Sequence, residues 1–133
     1  MKIEHHLRKI ERMGKTIGKL SYEDDYETLI EDYMLSSAHL INAAMHKLGT
    51  LKPDKDIKHN LLFGWLKDKK GIKDKSDEVA ELVQGIEQLR PSHVYGKGEN
   101  GETAKKAEEF FKKIKTICEE IINRNEEKPS DSN

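Results

Sequence analysis

The spacing of the apolar residues constrains the fold more than any other feature of this sequence. Apolar side chains recur every three or four positions along most of the chain, which is the period of an α-helix that buries one face. Two stretches show this period clearly: Val79, Leu82, Val83, Ile86 and Leu89, and then Ala104, Ala107, Phe111, Ile114, Cys118 and Ile121. The sequence therefore predicts an all-α fold, an up-and-down bundle of four to five helices.

Only three prolines occur in the 133 residues, and together with helix-capping residues they divide the chain into segments. We expect one helical domain over residues 1–125, an added N-terminal helix over 1–20 within it, and a disordered polar tail over 126–133. A long helix is expected from about Tyr22 to Leu48, with Ser21 as its N-cap. A shorter helix follows, which Asp54 or Asp56 caps and which ends at Gly71. Of the last two helices, one begins at Ser76 and stops before Pro91, and the other is capped by Asn100.

The composition narrows the function classes. The 24 basic and 25 acidic side chains nearly cancel, which argues against strong non-specific binding to nucleic acid. A single cysteine, Cys118, cannot form an internal disulfide and suits a reducing compartment. No apolar run approaches the roughly 20 residues of a membrane-spanning helix, and no signal-peptide pattern occurs. We therefore expect a cytoplasmic protein without a membrane partner.

One connection, just before the last expected helix, could carry chemistry. Arg90 offers a forked, permanently charged donor for a phosphate group, and His93 can move a proton near neutral pH. Lys97, Gly98 and Gly101 precede or open a helix N-terminus, where free N–H groups favour anions. These residues could bind a nucleotide or RNA phosphate and cleave a phosphodiester without a metal or other cofactor. The alternative is a solvated turn in which Arg90 pairs with a carboxylate and His93 caps a helix.

A second polar group lies on the long helix. His39, Asn42 and His46 share one face, and His59 lies on the next segment. His39 and His46 are about 10.5 Å apart along the helix axis, too far to share one ion easily, so no metal site is predicted. We expect satisfied polar residues within the bundle or at a dimer interface, with Trp65 as a core residue or an interface anchor.

The first helix is expected to bury an apolar stripe and to expose its two histidines, His5 and His6. The stripe consists of Ile3, Leu7, Ile10, Ile17 and Leu20. His5 and His6 follow close after Met1, and we expect both to be exposed.

The order of these features resembles the HEPN family (higher eukaryote and prokaryote nucleotide-binding domains). The resemblance rests on the segment of residues 32–49, with its tyrosine, small residues and final glycine, and on the Lys-His segment of residues 57–63. It continues through Leu89-Arg90 to Tyr95-Gly96 and into the closing helix with Ala104, Ala107, Glu108 and Phe110. The likeness spans residues 22–122.

The resemblance implies a helical bundle that is frequently a homodimer. In many members an arginine and a histidine form a metal-independent ribonuclease site at the dimer interface, and such members often act as toxins paired with a nucleotidyltransferase antitoxin. Carried over to this chain, the matching catalytic positions are Arg90, His93 and Tyr95.

Two further hypotheses remain open at this point. Only Pro91 and Ser92 separate Arg90 from His93, which favours a non-catalytic module that binds a nucleotide or a partner protein such as a nucleotidyltransferase. The third hypothesis is a helical metal-binding protein that uses His39, His46 and His59.

Overall fold

The computed structural model describes residues 1–90 and 100–124, and these residues form helices and no strand. The helices are α1 (Ile3–Ile17), α2 (Tyr26–Leu48), α3 (Leu62–Lys69), α4 (Ser76–Gln88) and α5 (Asn100–Ile122), with 3-10 turns at His59–Leu61 and Lys73–Lys75. The prediction of an all-α bundle of four to five helices is confirmed. None of the described helices combines the length and the apolarity that crossing a membrane requires.

Helix α2 is the centre of the bundle. It packs most extensively against α5, then against α1, and it also contacts α4. Its buried residues lie around most of its circumference, as expected for a helix enclosed by neighbours rather than lying on a surface. The largest fully buried side chains include Leu29, Ile30, Met34, Leu40, Ile41 and Met45 of α2, Leu62 and Leu66 of α3, Ile86 of α4 and Ile114 of α5.

The start of α2 differs from the sequence-based prediction, whereas its end agrees. The hydroxyl of Ser21 accepts hydrogen bonds from the N–H groups of Glu23 and Asp24, so it stabilises a turn that precedes the helix. Helix α2 begins only at Tyr26, because this turn uses the four residues before it. At the other end Gly49 adopts a left-handed conformation with φ of 78°, which terminates the helix as predicted.

The segment after α2 is less helical than predicted. Neither Asp54 nor Asp56 caps a helix, since regular structure begins only at the 3-10 turn of residues 59–61. Helix α4 begins at Ser76 as predicted, but the Ser76 hydroxyl accepts a hydrogen bond from the Ile72 N–H at 2.7 Å. Helix α3 is thus shorter than predicted, and the residues between α2 and the 3-10 turn form an irregular connection.

We predict that Leu66→Ala destabilises the protein strongly. Leu66 of α3 is a fully buried core residue. The loss of a buried leucine side chain costs about 2–5 kcal/mol of stability. Urea denaturation monitored by circular dichroism measures the change. Leu61→Ala is the control, because Leu61 is 57% exposed and its truncation should change stability by less than about 0.5 kcal/mol. Equal effects of the two substitutions would contradict the described core.

Candidate metal centre

Three histidines and one aspartate meet where α1 packs against α2. Helix α1 contributes His6, α2 contributes His39 and His46, and the connection after α2 contributes Asp56. Atom Oδ1 of Asp56 lies 3.0 Å from Nε2 of His6 and 2.9 Å from Nε2 of His46. On the far side of its ring, Nδ1 of His6 lies 2.8 Å from Nδ1 of His39. The four side chains therefore form one connected cluster.

The burial of His6 corrects the sequence-based prediction that it is exposed. His6 is 1% exposed, whereas Leu7, which was assigned to the buried stripe, is 37% exposed. The face of α1 that packs on the core follows a 3-4-3-4 spacing through Ile3, His6, Ile10, Met13 and Ile17. His6 occupies a position on that face, so its ring is carried to α2 by the helical period itself.

Asn42 holds the connection that carries Asp56. Its amide nitrogen donates to the backbone carbonyl of Ile57 at 3.0 Å, and its side-chain oxygen accepts from the Ile57 N–H at 2.8 Å. The same amide nitrogen also donates to the Ala38 carbonyl, one turn earlier in α2. Because both backbone groups of Ile57 are fixed, the neighbouring Asp56 is held against α2.

Both ring nitrogens of His46 face acceptors. Its Nδ1 lies 3.3 Å from the backbone carbonyl of Leu51, and its Nε2 lies 2.9 Å from the Asp56 carboxylate. A neutral imidazole carries one N–H, so it can donate to only one of these two oxygens. The other contact then joins a nitrogen lone pair to an acceptor. A proton or a metal cation between Nε2 and Asp56 makes both contacts favourable.

The charge states of the surrounding groups follow from burial and contacts. Burial lowers the pKa of His39 to about 4, and the nearby His6 and Lys9 act in the same direction. Burial also lowers the pKa of His6, while the hydrogen bond and negative charge of Asp56 act the other way. Burial alone would raise the pKa of Asp56, but its contacts with the Met1 amino group, His46 and His6 bring it to about 2. At neutral pH Asp56 is therefore a carboxylate, and His39 is neutral.

The separations of the ligand atoms suit a shared cation. One ligand atom each from His6, His46 and Asp56 lies within 4.8 Å of the others. Bonds of about 2.1 Å to one cation place adjacent ligand atoms about 3.0 Å apart at right angles and about 3.4 Å apart at the tetrahedral angle. The observed nitrogen–oxygen distances of 2.9 and 3.0 Å match the first value closely.

The other residues singled out from the sequence lie elsewhere. Arg90 donates from Nε to Glu31 at 2.8 Å and from Nη1 to Glu87 at 2.9 Å, which is the carboxylate pairing of the alternative interpretation. His59 does not join the other histidines; its Nδ1 lies 3.5 Å from the second oxygen of Glu87. Gly101 lies in the first turn of α5 and is buried. His93, Tyr95, Lys97 and Gly98 fall outside the described residues.

Trp65 of α3 is partly buried and packs against the hydrophobic core, in agreement with the core interpretation. The ammonium groups of Lys55 and Lys69 lie 5.5 and 5.8 Å from the centre of its ring, within the range of cation–π attraction. Its buried indole N–H has no hydrogen-bond partner among the described residues. Its predicted role as an interface anchor stays a prediction.

Comparisons of the chain with protein-family models, with curated proteins and with solved structures found no match. The resemblance to HEPN domains therefore stays a prediction. The homodimer, the RNA or nucleotide ligand and the nucleotidyltransferase partner that this resemblance implies stay predictions with it.

We predict that Asn42→Ala destabilises the protein and loosens the connection that carries Asp56. The substitution leaves the buried N–H and carbonyl of Ile57 without these side-chain partners, at a cost on the order of 3 kcal/mol for the two groups. Urea denaturation measures the loss of stability. Asn60→Ala removes the amide of an exposed asparagine and is the control. A near-neutral Asn42→Ala would show that the amide does not hold Ile57.

Proposed function

We propose that this protein binds a divalent transition-metal ion through the imidazole groups of His6 and His46 and the carboxylate of Asp56. The observation that carries the proposal is that His46 faces an acceptor at each ring nitrogen, Asp56 Oδ1 at 2.9 Å and the Leu51 carbonyl at 3.3 Å, although a neutral imidazole can donate to only one of them. The Nε2 atom of His6 lies beside the same oxygen. A cation at this point satisfies all three groups at once.

The contacts behind the two histidines support this proposal. Histidines that bind metals generally donate their other ring N–H to a carbonyl, a carboxylate or another acceptor, which fixes the ring and the tautomer. Nδ1 of His46 faces the Leu51 carbonyl, and Nδ1 of His6 faces the Nδ1 of His39, which is an acceptor when His39 carries its hydrogen on Nε2. Both imidazoles thus have an outer partner suited to this role.

The donor atoms select the class of metal. Two imidazole nitrogens and one carboxylate oxygen suit Zn²⁺, Fe²⁺, Co²⁺ or Ni²⁺, whereas Mg²⁺ and Ca²⁺ prefer sites built from oxygen alone. Three protein ligands leave at least one coordination position for water or another small ligand. The two histidine side chains are 2% exposed and that of Asp56 is 35% exposed, so solvent reaches the site from the side of Asp56.

A bound ion would also connect parts of the chain that are distant in sequence. His6 belongs to α1, His46 to α2 and Asp56 to the connection that follows. Because this arrangement exists only in the folded protein, metal binding contributes to the free energy of unfolding. The proposed site is therefore both a binding site and a link between α1 and the rest of the bundle.

The metal-independent ribonuclease and the non-catalytic HEPN-like module are supported by the resemblance of the sequence alone. A phosphate clamp needs a guanidinium group with free donors. Arg90 already contacts the carboxylates of Glu31 and Glu87, and a phosphate would have to compete with both. For this reason the metal-binding proposal has the stronger physical support.

We predict that the protein binds one Zn²⁺ per chain and that His6→Gln or Asp56→Asn weakens binding by more than about 100-fold, since the loss even of an outer partner costs 10–100-fold. Isothermal titration calorimetry of metal-free protein measures the affinity. Co²⁺ absorption spectra report independently whether nitrogen and oxygen ligands surround the ion. An increase in melting temperature with Zn²⁺ provides a third measurement.

His5→Gln is the matched control, because His5 is adjacent in sequence and exposed. It should bind Zn²⁺ as tightly as the unmodified protein, and His59→Gln should do the same. If His6→Gln and Asp56→Asn lower the stability but leave Zn²⁺ affinity equal to that of His5→Gln, the cluster is only a structural hydrogen-bond network. That result would refute the proposed function.

A further inference from the structure

A cavity separate from the histidine cluster lies between α1 and α5, and α2 forms its floor. Its volume is about 490 Å³, which is within the usual range of small-molecule binding sites. Helix α1 packs mainly against α2 rather than against α5, so a space remains between α1 and α5. The walls are largely apolar and include Leu7, Ile10, Ile17, Leu40 and Phe111.

A glycine on α1 helps to keep this cavity open. Gly14 lies within the helix, where glycine is less favourable than alanine. A Cβ atom at this position would meet no atom within 4 Å, so no packing contact requires a glycine here. Gly14 also lines the cavity. Its one evident structural consequence is additional space on the α1 side of the cavity.

An almost completely buried tyrosine lines the floor of the cavity. Tyr33 is 4% exposed as a residue, and no hydrogen bond joins its hydroxyl to another of the described residues. Burial raises the pKa of Tyr33, so the hydroxyl stays neutral and can both donate and accept. The Tyr33 ring packs against Phe111 with 5.2 Å between the ring centres, which fixes its position. The hydroxyl is therefore available to hydrogen-bond with a ligand.

The charged residues at the rim select for an uncharged ligand. The rim carries charges of both signs that nearly balance: three glutamates, Glu11, Glu108 and Glu119, and two lysines, Lys112 and Lys115. Glu108 and Lys112 already contact each other at 3.5 Å. Neither an anion nor a cation meets a strong field of opposite sign at this rim.

We propose that this cavity binds a neutral, mainly apolar ring compound that carries one hydroxyl or carbonyl group, which hydrogen-bonds to Tyr33. The rings pack against the apolar walls contributed by the three helices. The polar group of the ligand reaches the floor beside Phe111. This proposal is independent of the metal centre, since none of the proposed metal ligands lines the cavity.

The test uses 2-naphthol as the probe and isothermal titration calorimetry of the full chain. We expect 1:1 binding of 2-naphthol, weaker binding of 2-methylnaphthalene, which lacks the hydroxyl, and weaker binding of the anion naphthalene-2-sulfonate. Tyr33→Phe should lower the affinity for 2-naphthol by about 3–10-fold, the effect of one neutral hydrogen bond. The same substitution should leave the affinity for 2-methylnaphthalene unchanged, which a merely structural effect would not do.

Gly14→Leu fills the cavity from α1 and should weaken the binding of both neutral probes by more than about 10-fold, because cavity volume is needed to enclose the ligand. Gly64→Leu is the matched control: Gly64 also lies in a helix, a Cβ atom added there would also meet no atom within 4 Å, and it does not line the cavity. Circular dichroism verifies that both variants fold. Absence of 2-naphthol binding, equal binding by Gly14→Leu, or tighter binding of the sulfonate would overturn the proposal.

Discussion

The burial of α2 on nearly all sides is the constraint on which the rest of the structure depends. Helices α1 and α5 pack on α2 more extensively than on any other helix, and α4 also contacts it. Polar residues on a helix enclosed in this way are usually satisfied by a neighbour. Asn42 is satisfied by the backbone of Ile57, whereas His46 faces two acceptors, the Leu51 carbonyl and Asp56.

These polar contacts explain why the connection after α2 is irregular. A helix that began at Asp54 or Asp56 would use the Ile57 carbonyl as an acceptor within the helix. Instead, that carbonyl accepts from Asn42, and the Asp56 carboxylate is turned toward His6 and His46. The loss of regular backbone hydrogen bonds is compensated by side-chain contacts from α2. The same contacts hold together the ligand atoms of the proposed metal centre.

The sequence predicted the fold better than the site. The helical period and the boundary signals Gly49 and Ser76 identified the helices, because those features act locally. To predict the site, one must know that α1 packs against α2 next to the connection that carries Asp56. The spacing of residues along α2 does not contain that information. His39 and His46 are too far apart to share one ion, yet His6 lies between them and contacts both rings. One signal was present: His6 fits the 3-4-3-4 stripe of α1 better than Leu7 does.

Two charged clusters of the bundle differ in what they can still bind. Around Arg90, a permanently charged donor faces the carboxylates of Glu31 and Glu87, so the attractive contacts are already made. Around Asp56, the Met1 amino group contacts Oδ2, whereas Oδ1 faces the Nε2 atoms of His6 and His46. A neutral His46 cannot donate to both Asp56 and the Leu51 carbonyl. The first arrangement is complete without a ligand, whereas a proton or a metal ion completes the second. The chemistry of the histidine cluster therefore depends on what occupies it, and this makes it the stronger candidate for a functional site.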